Sequence, residues 1–247
     1  MSLKLLECLR DGLIVSCYAG EDINAEMAHP LVMAHMAKSV LAGGATAVRT
    51  NLENVSEIKK MVSAPVIGIK KILRGDFSKG DFRITPTMRE VESLMDAGAD
   101  AIAIDGTARE RYDDLTLPQF IEEIKHRFET FIIADVSTVE EGVAAWKAGA
   151  DMVGTTLSGY TPYSENPIQF GQLPTPEPDY KIIRSLREQG VRYIVAEGRY
   201  TNGLQFKAAL EAGAHCVVIG SAITYPKKIV QSILEPCIKK EERSVSG

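Results

Sequence analysis

A short glycine-centred turn that recurs four times constrains the fold of this chain more than any other feature. The copies are Leu41-Ala42-Gly43-Gly44-Ala45, Asp96-Ala97-Gly98-Ala99-Asp100, Lys147-Ala148-Gly149-Ala150-Asp151 and Glu211-Ala212-Gly213-Ala214, roughly 50 to 65 residues apart. Each copy joins a glycine that can end a helix to small residues that let the chain reverse tightly into a strand. Because this spacing corresponds to two βα units, the repeat predicts alternating strands and helices.

Apolar runs and turn residues divide the chain into eight strands and eight helices. The predicted strands are residues 12–17, 45–48, 65–69, 101–104, 131–134, 152–153, 193–196 and 216–219. The predicted helices are residues 31–41, 55–62, 88–96, 118–128, 138–147, 179–189, 204–211 and 226–234. An α/β barrel typically has about 250 residues. We therefore predict an α/β protein in which residues 1–247 form a single (β/α)8 TIM-barrel domain, with a doubly wound open sheet as the alternative.

Two long polar segments interrupt this alternation, at residues 72–87 and 162–178. We interpret the first as a loop that forms a lid and leads into the helix that follows it.

Composition and charge exclude several classes of protein. The formal net charge of −5 and the pI near 5.5 argue against general nucleic-acid binding, which requires a basic face. The first residues lack the apolar core of a signal peptide, and no run of 18 apolar residues occurs. Four widely spaced cysteines without a CxxC pair argue against a zinc site or a disulfide framework. These features predict a cytoplasmic protein that does not bind a membrane.

The residues at the carboxyl ends of the strands are the candidates for function. In a parallel barrel these ends face one rim, where ligands bind. Several charged groups at one apolar rim need partners, which favours a site over mere solvation. The candidates are Ser16, Arg49, Lys70 or Lys71, Asp105, Asp135, Thr155 or Thr156, Glu197, Arg199 and Gly220-Ser221.

The last two strand ends have the composition of a phosphate site. Gly198-Arg199 follows the seventh strand, and Gly220-Ser221 follows the eighth and could begin a short helix. In many barrels the loops after these strands bind phosphate through backbone N–H groups. We predict that Gly198, Arg199, Gly220 and Ser221 bind a phosphate group.

A lysine and a glutamate on the same rim suggest proton transfer at a carbon acid. Side chains alternate along a strand, so only one of Lys70 and Lys71 can face the site. The histidines lie in helical stretches or at the amino end of a strand, which makes them poor candidates for a base.

The same residues carry a resemblance to a known family. Over nearly its whole length the chain resembles the bacterial N-acetylmannosamine-6-phosphate 2-epimerases, which act in sialic-acid catabolism. The segment Val153-Gly154-Thr155-Thr156-Leu157-Ser158-Gly159-Tyr160-Thr161 is the most specific. The other matching segments are 12–17, 65–69, 84–87, 134–138, 196–199 and 220–224.

The resemblance implies an isomerase that interconverts N-acetylmannosamine 6-phosphate and N-acetylglucosamine 6-phosphate without a metal or another cofactor. It also favours a homodimer. It implies Lys71, rather than Lys70, and Glu197 as the catalytic residues. It also implies that Arg49 binds substrate and that Asp135 belongs to the site. To these we add Thr155 and Ser16 as substrate-binding residues by their positions at strand ends.

Two residues depart from the pattern of the family. Tyr18 stands where the family usually has glutamine, and Tyr225 stands where it usually has arginine. The second difference removes a cation that would bind phosphate, which Arg199 and backbone groups near Gly220 could replace.

Two other functions remain open at this stage. One is an aldolase that forms a Schiff base between a lysine and a sugar phosphate. The other is a sugar-phosphate-binding barrel without catalysis, which would need neither Lys71 nor Glu197.

Overall fold

Eight parallel strands close into a barrel in the computed structural model, which describes residues 2–18, 27–76, 81–169 and 175–244. The barrel strands are β1 (Gly12–Cys17), β2 (Ala47–Asn51), β3 (Val66–Ile69), β6 (Ala101–Asp105), β7 (Phe131–Asp135), β8 (Met152–Gly154), β9 (Ile194–Glu197) and β10 (Cys216–Ile219). Each pairs with its neighbours in chain order, and β10 pairs with β1 to close the ring. The predicted TIM barrel is confirmed and the open sheet is wrong.

Helices surround the barrel and follow the strands in turn. They are α1 (Ser2–Leu9), α2 (Pro30–Ala42), α3 (Leu52–Met61), α4 (Met88–Asp96), α5 (Leu117–Arg127), α6 (Val139–Lys147), α7 (Tyr180–Glu188), α8 (Gly203–Glu211), α9 (Ser221–Thr224) and α10 (Pro226–Ser244). The short α9 begins directly after Gly220, as predicted. No helix in the described ranges combines the length and the apolar character that crossing a membrane requires.

The packing of the strands decides which side chains point into the barrel. Along β7, Phe131 and Ile133 belong to the interior cluster, whereas Ile132 and Ala134 pack against the helices. Because side chains alternate with period two, the next inward position is Asp135. The same alternation directs the residues two positions beyond Ala47, Val195 and Ile69 toward the barrel axis.

One segment differs from the prediction. The loop predicted at residues 72–87 contains an antiparallel hairpin of β4 (Lys71–Leu73) and β5 (Phe82–Ile84), with Lys71 opposite Ile84. Residues 77–80 of the first long polar segment and residues 170–174 of the second lie outside the described residues.

The amino-terminal helix α1 was not predicted. Its residues Leu5, Leu6 and Leu9 join the interior cluster. They cover the amino-terminal end of the barrel, which leaves the opposite, carboxyl-terminal rim for function.

Close packing of α6 against the barrel generates a stability prediction. A methyl group at Gly142 would lie 2.5 Å from Leu186 Cδ2 and 3.1 Å from Val153 Cγ1, both in the fully buried core. We expect Gly142→Ala to lower the free energy of unfolding by about 1–3 kcal/mol, as overpacking does. Urea denaturation would measure the change.

Gly203→Ala is the matched control, because a methyl group at this helical glycine meets nothing within 4 Å. It should be neutral or stabilise by up to about 1 kcal/mol, since alanine restricts the unfolded chain. Equal effects of the two substitutions would contradict the packing described for α6.

Candidate active site

A buried arginine joins three barrel strands at the centre of the carboxyl-terminal end. Arg49 of β2 donates through Nη2 to Asp135 Oδ2 at 2.5 Å and through Nη1 to Asp135 Oδ1 at 3.2 Å. Its Nη1 also lies 3.0 Å from Glu197 Oε2 of β9. Arg49 is 1% exposed and Asp135 is fully buried. The inward-facing side chains at the ends of β2, β7 and β9, which are Arg49, Asp135 and Glu197, therefore form one ionic group.

The charges in this group are unequal in number, because one guanidinium contacts two carboxyl groups. Burial alone would lower the pKa of Arg49, but the carboxylates of Asp135 and Glu197 together raise it above its ordinary value. The pKa of Glu197 is raised, chiefly by burial and also by Asp135, although Arg49, Thr156 and Lys71 oppose the shift. Glu197 therefore holds a proton to a higher pH than an exposed glutamate does.

Thr156 connects the two carboxylates. Its hydroxyl lies 2.5 Å from Asp135 Oδ1 and 3.1 Å from Glu197 Oε2. A hydroxyl has a single proton to donate. It therefore donates to only one of the two carboxyl groups at a time, and the shorter distance favours Asp135.

Lys71 and Glu197 face the same cavity of about 250 Å³ above this ionic group. The Lys71 ammonium lies 4.5 Å from the centroid of the Tyr18 ring and 5.0 Å from that of the Phe82 ring. The Glu197 side chain is 15% exposed, and its Oε2 is occupied by Arg49 and Thr156. No residue in the described ranges donates a hydrogen bond to the other oxygen, Oε1, which is thus available to a ligand.

The two adjacent lysines have separate surroundings. Lys70 forms an ion pair with Glu53 of α3, outside the cavity. Lys71 is the inward residue, two positions beyond Ile69. This separation is what the alternation of side chains along a strand predicts.

The residues predicted to bind phosphate line the same cavity. Gly198, Arg199, Gly220 and Ser221 all contribute to its wall. Arg199 donates through Nη1 to the carbonyl of Ser158 at 2.6 Å and through Nε to that of Glu177 at 3.0 Å. Carbonyl oxygens orient the guanidinium without neutralising its charge.

Gly198 is required by the backbone at this turn. Its φ is 115°, in the region that favours glycine, and Arg199 follows with φ 69°. The turn directs the chain from β9 across the cavity, which explains a Gly-Arg pair at this strand end.

The two remaining predicted residues, Thr155 and Ser16, are not among the residues that line the cavity. The Thr155 hydroxyl donates a hydrogen bond to the carbonyl oxygen of Glu197 at 2.9 Å and accepts one from the Glu197 N–H at 3.0 Å. It thereby joins β8 to β9. The carbonyl of Ser16 accepts a hydrogen bond from Thr224, and its side chain faces Gly220. Their contact with substrate stays a prediction.

Asp105, at the end of β6, does not join the other strand-end residues, although it was predicted to lie with them. Its carboxylate binds Arg109 at 2.7 Å and Thr107 at 2.6 Å, in a separate buried network. Asp105 is not among the residues that line the cavity described above. Of the five charged strand ends, four belong to the cavity or its floor.

Sequence reasoning left Thr156 undecided and missed Gly154 and Lys228. A methyl group at Gly154 would lie 2.6 Å from Asp135 Oδ1, so this glycine makes room for the buried carboxylate. Period two from the inward Met152 predicts both Gly154 and Thr156 and would have selected Thr156. Lys228 lines the cavity from α10, which no strand-end rule could indicate.

Comparison with known proteins gives one consistent family. A family model named NanE and described as "Putative N-acetylmannosamine-6-phosphate epimerase" matches residues 33–239. A relative from Cutibacterium acnes, named "Putative N-acetylmannosamine-6-phosphate 2-epimerase", is 44% identical over 231 residues, covering 92% of this chain and 93% of its own. A relative with the same name from Caldanaerobacter subterraneus is 43% identical over 94% of this chain and 93% of its own.

A solved structure is also similar. It is titled as the N-acetylmannosamine-6-phosphate 2-epimerase from Clostridium perfringens and superposes with a TM-score of 0.82 at 33% identity. The similarity covers 94% of this chain and 95% of that one.

The buried ionic group generates a second prediction. Arg49→Met keeps an unbranched side chain but leaves two buried carboxylates without their cation, which typically costs about 3–5 kcal/mol. We expect a loss of that order in the free energy of unfolding at pH 7. Arg127→Met, which removes an exposed ion pair with Glu92, is the control and should leave stability nearly unchanged.

The loss in Arg49→Met should depend on pH. Removing Arg49 removes a charge that opposes the raised pKa of Glu197, so the folded variant binds this proton at a higher pH than the unfolded chain does. Stability then falls as pH rises, and the deficit should shrink as pH is lowered toward the ordinary carboxyl range near 4. A deficit that grows on acidification would contradict the ionic group described here.

Proposed function

This chain belongs to the NanE family of N-acetylmannosamine-6-phosphate epimerases, and we propose that it interconverts N-acetylmannosamine 6-phosphate and N-acetylglucosamine 6-phosphate. The observation that carries the proposal is the placement of Lys71 and Glu197 on one cavity beside Gly198, Arg199 and Ser221. Inversion beside a carbonyl requires a base that takes the C2 proton and an acid that returns one, and an amine and a carboxyl group beside a phosphate-compatible wall can supply both.

The reaction begins with binding of the sugar, its phosphate against the wall formed by Gly198, Arg199, Gly220 and Ser221. Ring opening gives an aldehyde at C1, which makes the C2 proton acidic. Lys71, as the neutral amine, takes this proton, and the electron pair of the C2–H bond moves toward the C1 carbonyl to form an enolate.

The second half of the reaction delivers a proton to the opposite face of C2. Glu197 is the donor, through Oε1, the oxygen that neither Arg49 nor Thr156 occupies. The raised pKa of Glu197 supports this role, because an acid must hold its proton until the enolate forms. No net oxidation occurs, since one C–H bond breaks and another forms.

Each turnover leaves a proton on Lys71 and a charge on Glu197. The two groups interact electrostatically, and they face the same cavity. A proton that passes from Lys71 to Glu197, directly or through water, restores the starting state. The reverse reaction uses the same groups with their roles exchanged.

The two alternative functions are not favoured, because the family model, the two relatives and the structure from Clostridium perfringens are all named as epimerases. A Schiff-base aldolase would be trapped on Lys71 by borohydride plus substrate. A binding protein without catalysis would bind the sugar phosphate without exchanging its C2 proton.

A metabolic role of this kind is consistent with a cytoplasmic location, and the resemblance favours a homodimer. Light scattering of the purified protein would test the dimer directly. The proposed chemistry uses residues of a single chain and does not depend on the outcome.

Lys71→Gln tests the base. We expect the rate of epimerisation to fall about 10²- to 10⁴-fold, the usual contribution of a positioned base. Exchange at C2 should fall with it, as followed by proton NMR of N-acetylmannosamine 6-phosphate in deuterium oxide. Lys70→Gln is the matched control, because it removes the adjacent lysine that pairs with Glu53. Retained C2 exchange in Lys71→Gln would end the assignment of the base.

Glu197→Gln separates a proton donor from a residue that assists ring opening. If Glu197 delivers the second proton, the variant loses inversion while Lys71 still exchanges the C2 proton of the starting epimer with solvent. Deuterium should therefore accumulate in N-acetylmannosamine 6-phosphate without formation of the other sugar. Equal loss of exchange and inversion would show that Glu197 acts before the C2 proton is removed.

A further inference from the structure

Lys228 is a cation in a place where a cation is unfavourable. It lies in the first turn of α10, two residues after Pro226, and that turn contains no acidic residue. The positive end of the helix dipole disfavours a cation in this position. The side chain is half-buried, whereas the neighbouring Lys227 is exposed.

The surroundings of Lys228 do not neutralise it. Across the described parts of the chain, no group forms an ion pair or a hydrogen bond with its ammonium. Burial lowers its pKa, and no nearby carboxylate offsets this effect. A partly buried charge without a partner is costly in a folded protein. A ligand that supplies negative charge would remove this cost.

The position of Lys228 indicates which ligand group that is. It lines the 250 Å³ cavity together with Lys71, Glu197, Arg199 and Ser221. It also lines an adjoining cavity of about 440 Å³ and therefore lies at the junction of the two, beside Ser221 and Thr201. This is the side of the cavity that holds the residues predicted to bind phosphate.

We propose that Lys228 binds the phosphate group of the substrate, and this inference rests on the proposed function. Arg199 already uses two of its nitrogen atoms on the carbonyls of Ser158 and Glu177. Lys228 retains all three of its N–H donors for the ligand. Together the two residues place two positive charges around a group that carries close to two negative ones.

The role of Lys228 differs from that of Lys71. Lys71 lies between Tyr18 and Phe82 and exchanges a proton with carbon. Lys228 contacts the phosphate and so selects the phosphorylated sugar over the free sugar. Two lysines on one cavity thus perform separate tasks, one at each end of the substrate.

Lys228→Gln tests the proposal, with Lys227→Gln as the matched control because it removes an equal charge from the adjacent exposed residue. A hydrogen bond to a charged group corresponds to about a tenfold to hundredfold change in affinity. We expect kcat/KM for N-acetylmannosamine 6-phosphate to fall by this factor in Lys228→Gln and to stay unchanged in Lys227→Gln. Lys228→Arg, which keeps the charge, should restore most of the activity.

Calorimetry with inorganic phosphate provides a readout independent of turnover. The affinity of the protein for phosphate should fall in Lys228→Gln by a similar factor, while circular dichroism verifies that the variant is folded. Unchanged affinity for phosphate overturns the proposal, even if kcat/KM falls.

The two proposals fail in distinguishable ways. An unmodified protein without C2 exchange would refute the epimerase, whereas a phosphate affinity that depends on Lys228 would still support the anion site. An active protein whose kcat/KM and phosphate affinity are the same in Lys228→Gln would refute the role of Lys228 alone.

Discussion

The interaction on which the rest of the site depends is the contact of one buried guanidinium with two carboxylates. Arg49, Asp135 and Glu197 come from three different barrel strands and meet where the apolar interior ends. A buried ion pair is weak evidence for stability, because desolvation offsets the attraction. Its effect is to fix geometry, since Arg49 cannot move without leaving the buried carboxylate of Asp135 unpaired.

That fixed geometry gives the carboxyl groups different properties. Asp135 receives both nitrogen atoms of Arg49 and the hydroxyl of Thr156, whereas Glu197 shares one nitrogen and keeps a free oxygen. Burial raises the pKa of Glu197, and its one contact with the shared guanidinium does not offset this effect. Because of this asymmetry, Glu197 is held in position as an acid that faces the same cavity as Lys71.

Much of this arrangement follows from the alternation of side chains along strands. Ile69 faces the barrel interior, so the alternation of side chains directs Lys71, and not Lys70, toward the site. Met152 also faces the interior, so the same alternation directs Thr156, and not Thr155, toward the site. The second choice was undecided from the sequence because β8 is only three residues long, too short to show an alternation of its own. The four repeated glycine turns, by contrast, each precede a barrel strand that was predicted, β2, β6, β8 and β10, since each turn marks a local helix end.

The features that escaped prediction depend on contacts between distant parts of the chain. The hairpin of β4 and β5 forms because β4 leaves the barrel after Lys70 and pairs with a segment across a loop. Lys228 reaches the cavity from a helix that is amphipathic and charged along much of its length, where nothing local separates it from Lys227. Burial and lack of a counter-charge distinguish the two lysines, and both are properties of the folded chain.

A protein with a net charge of −5 must bind an anionic sugar through such local groups, because its overall field repels the ligand. Among the described residues, the cavity meets this requirement with Arg199 and Lys228, beside the carboxyl group of Glu197, whose pKa is raised by burial.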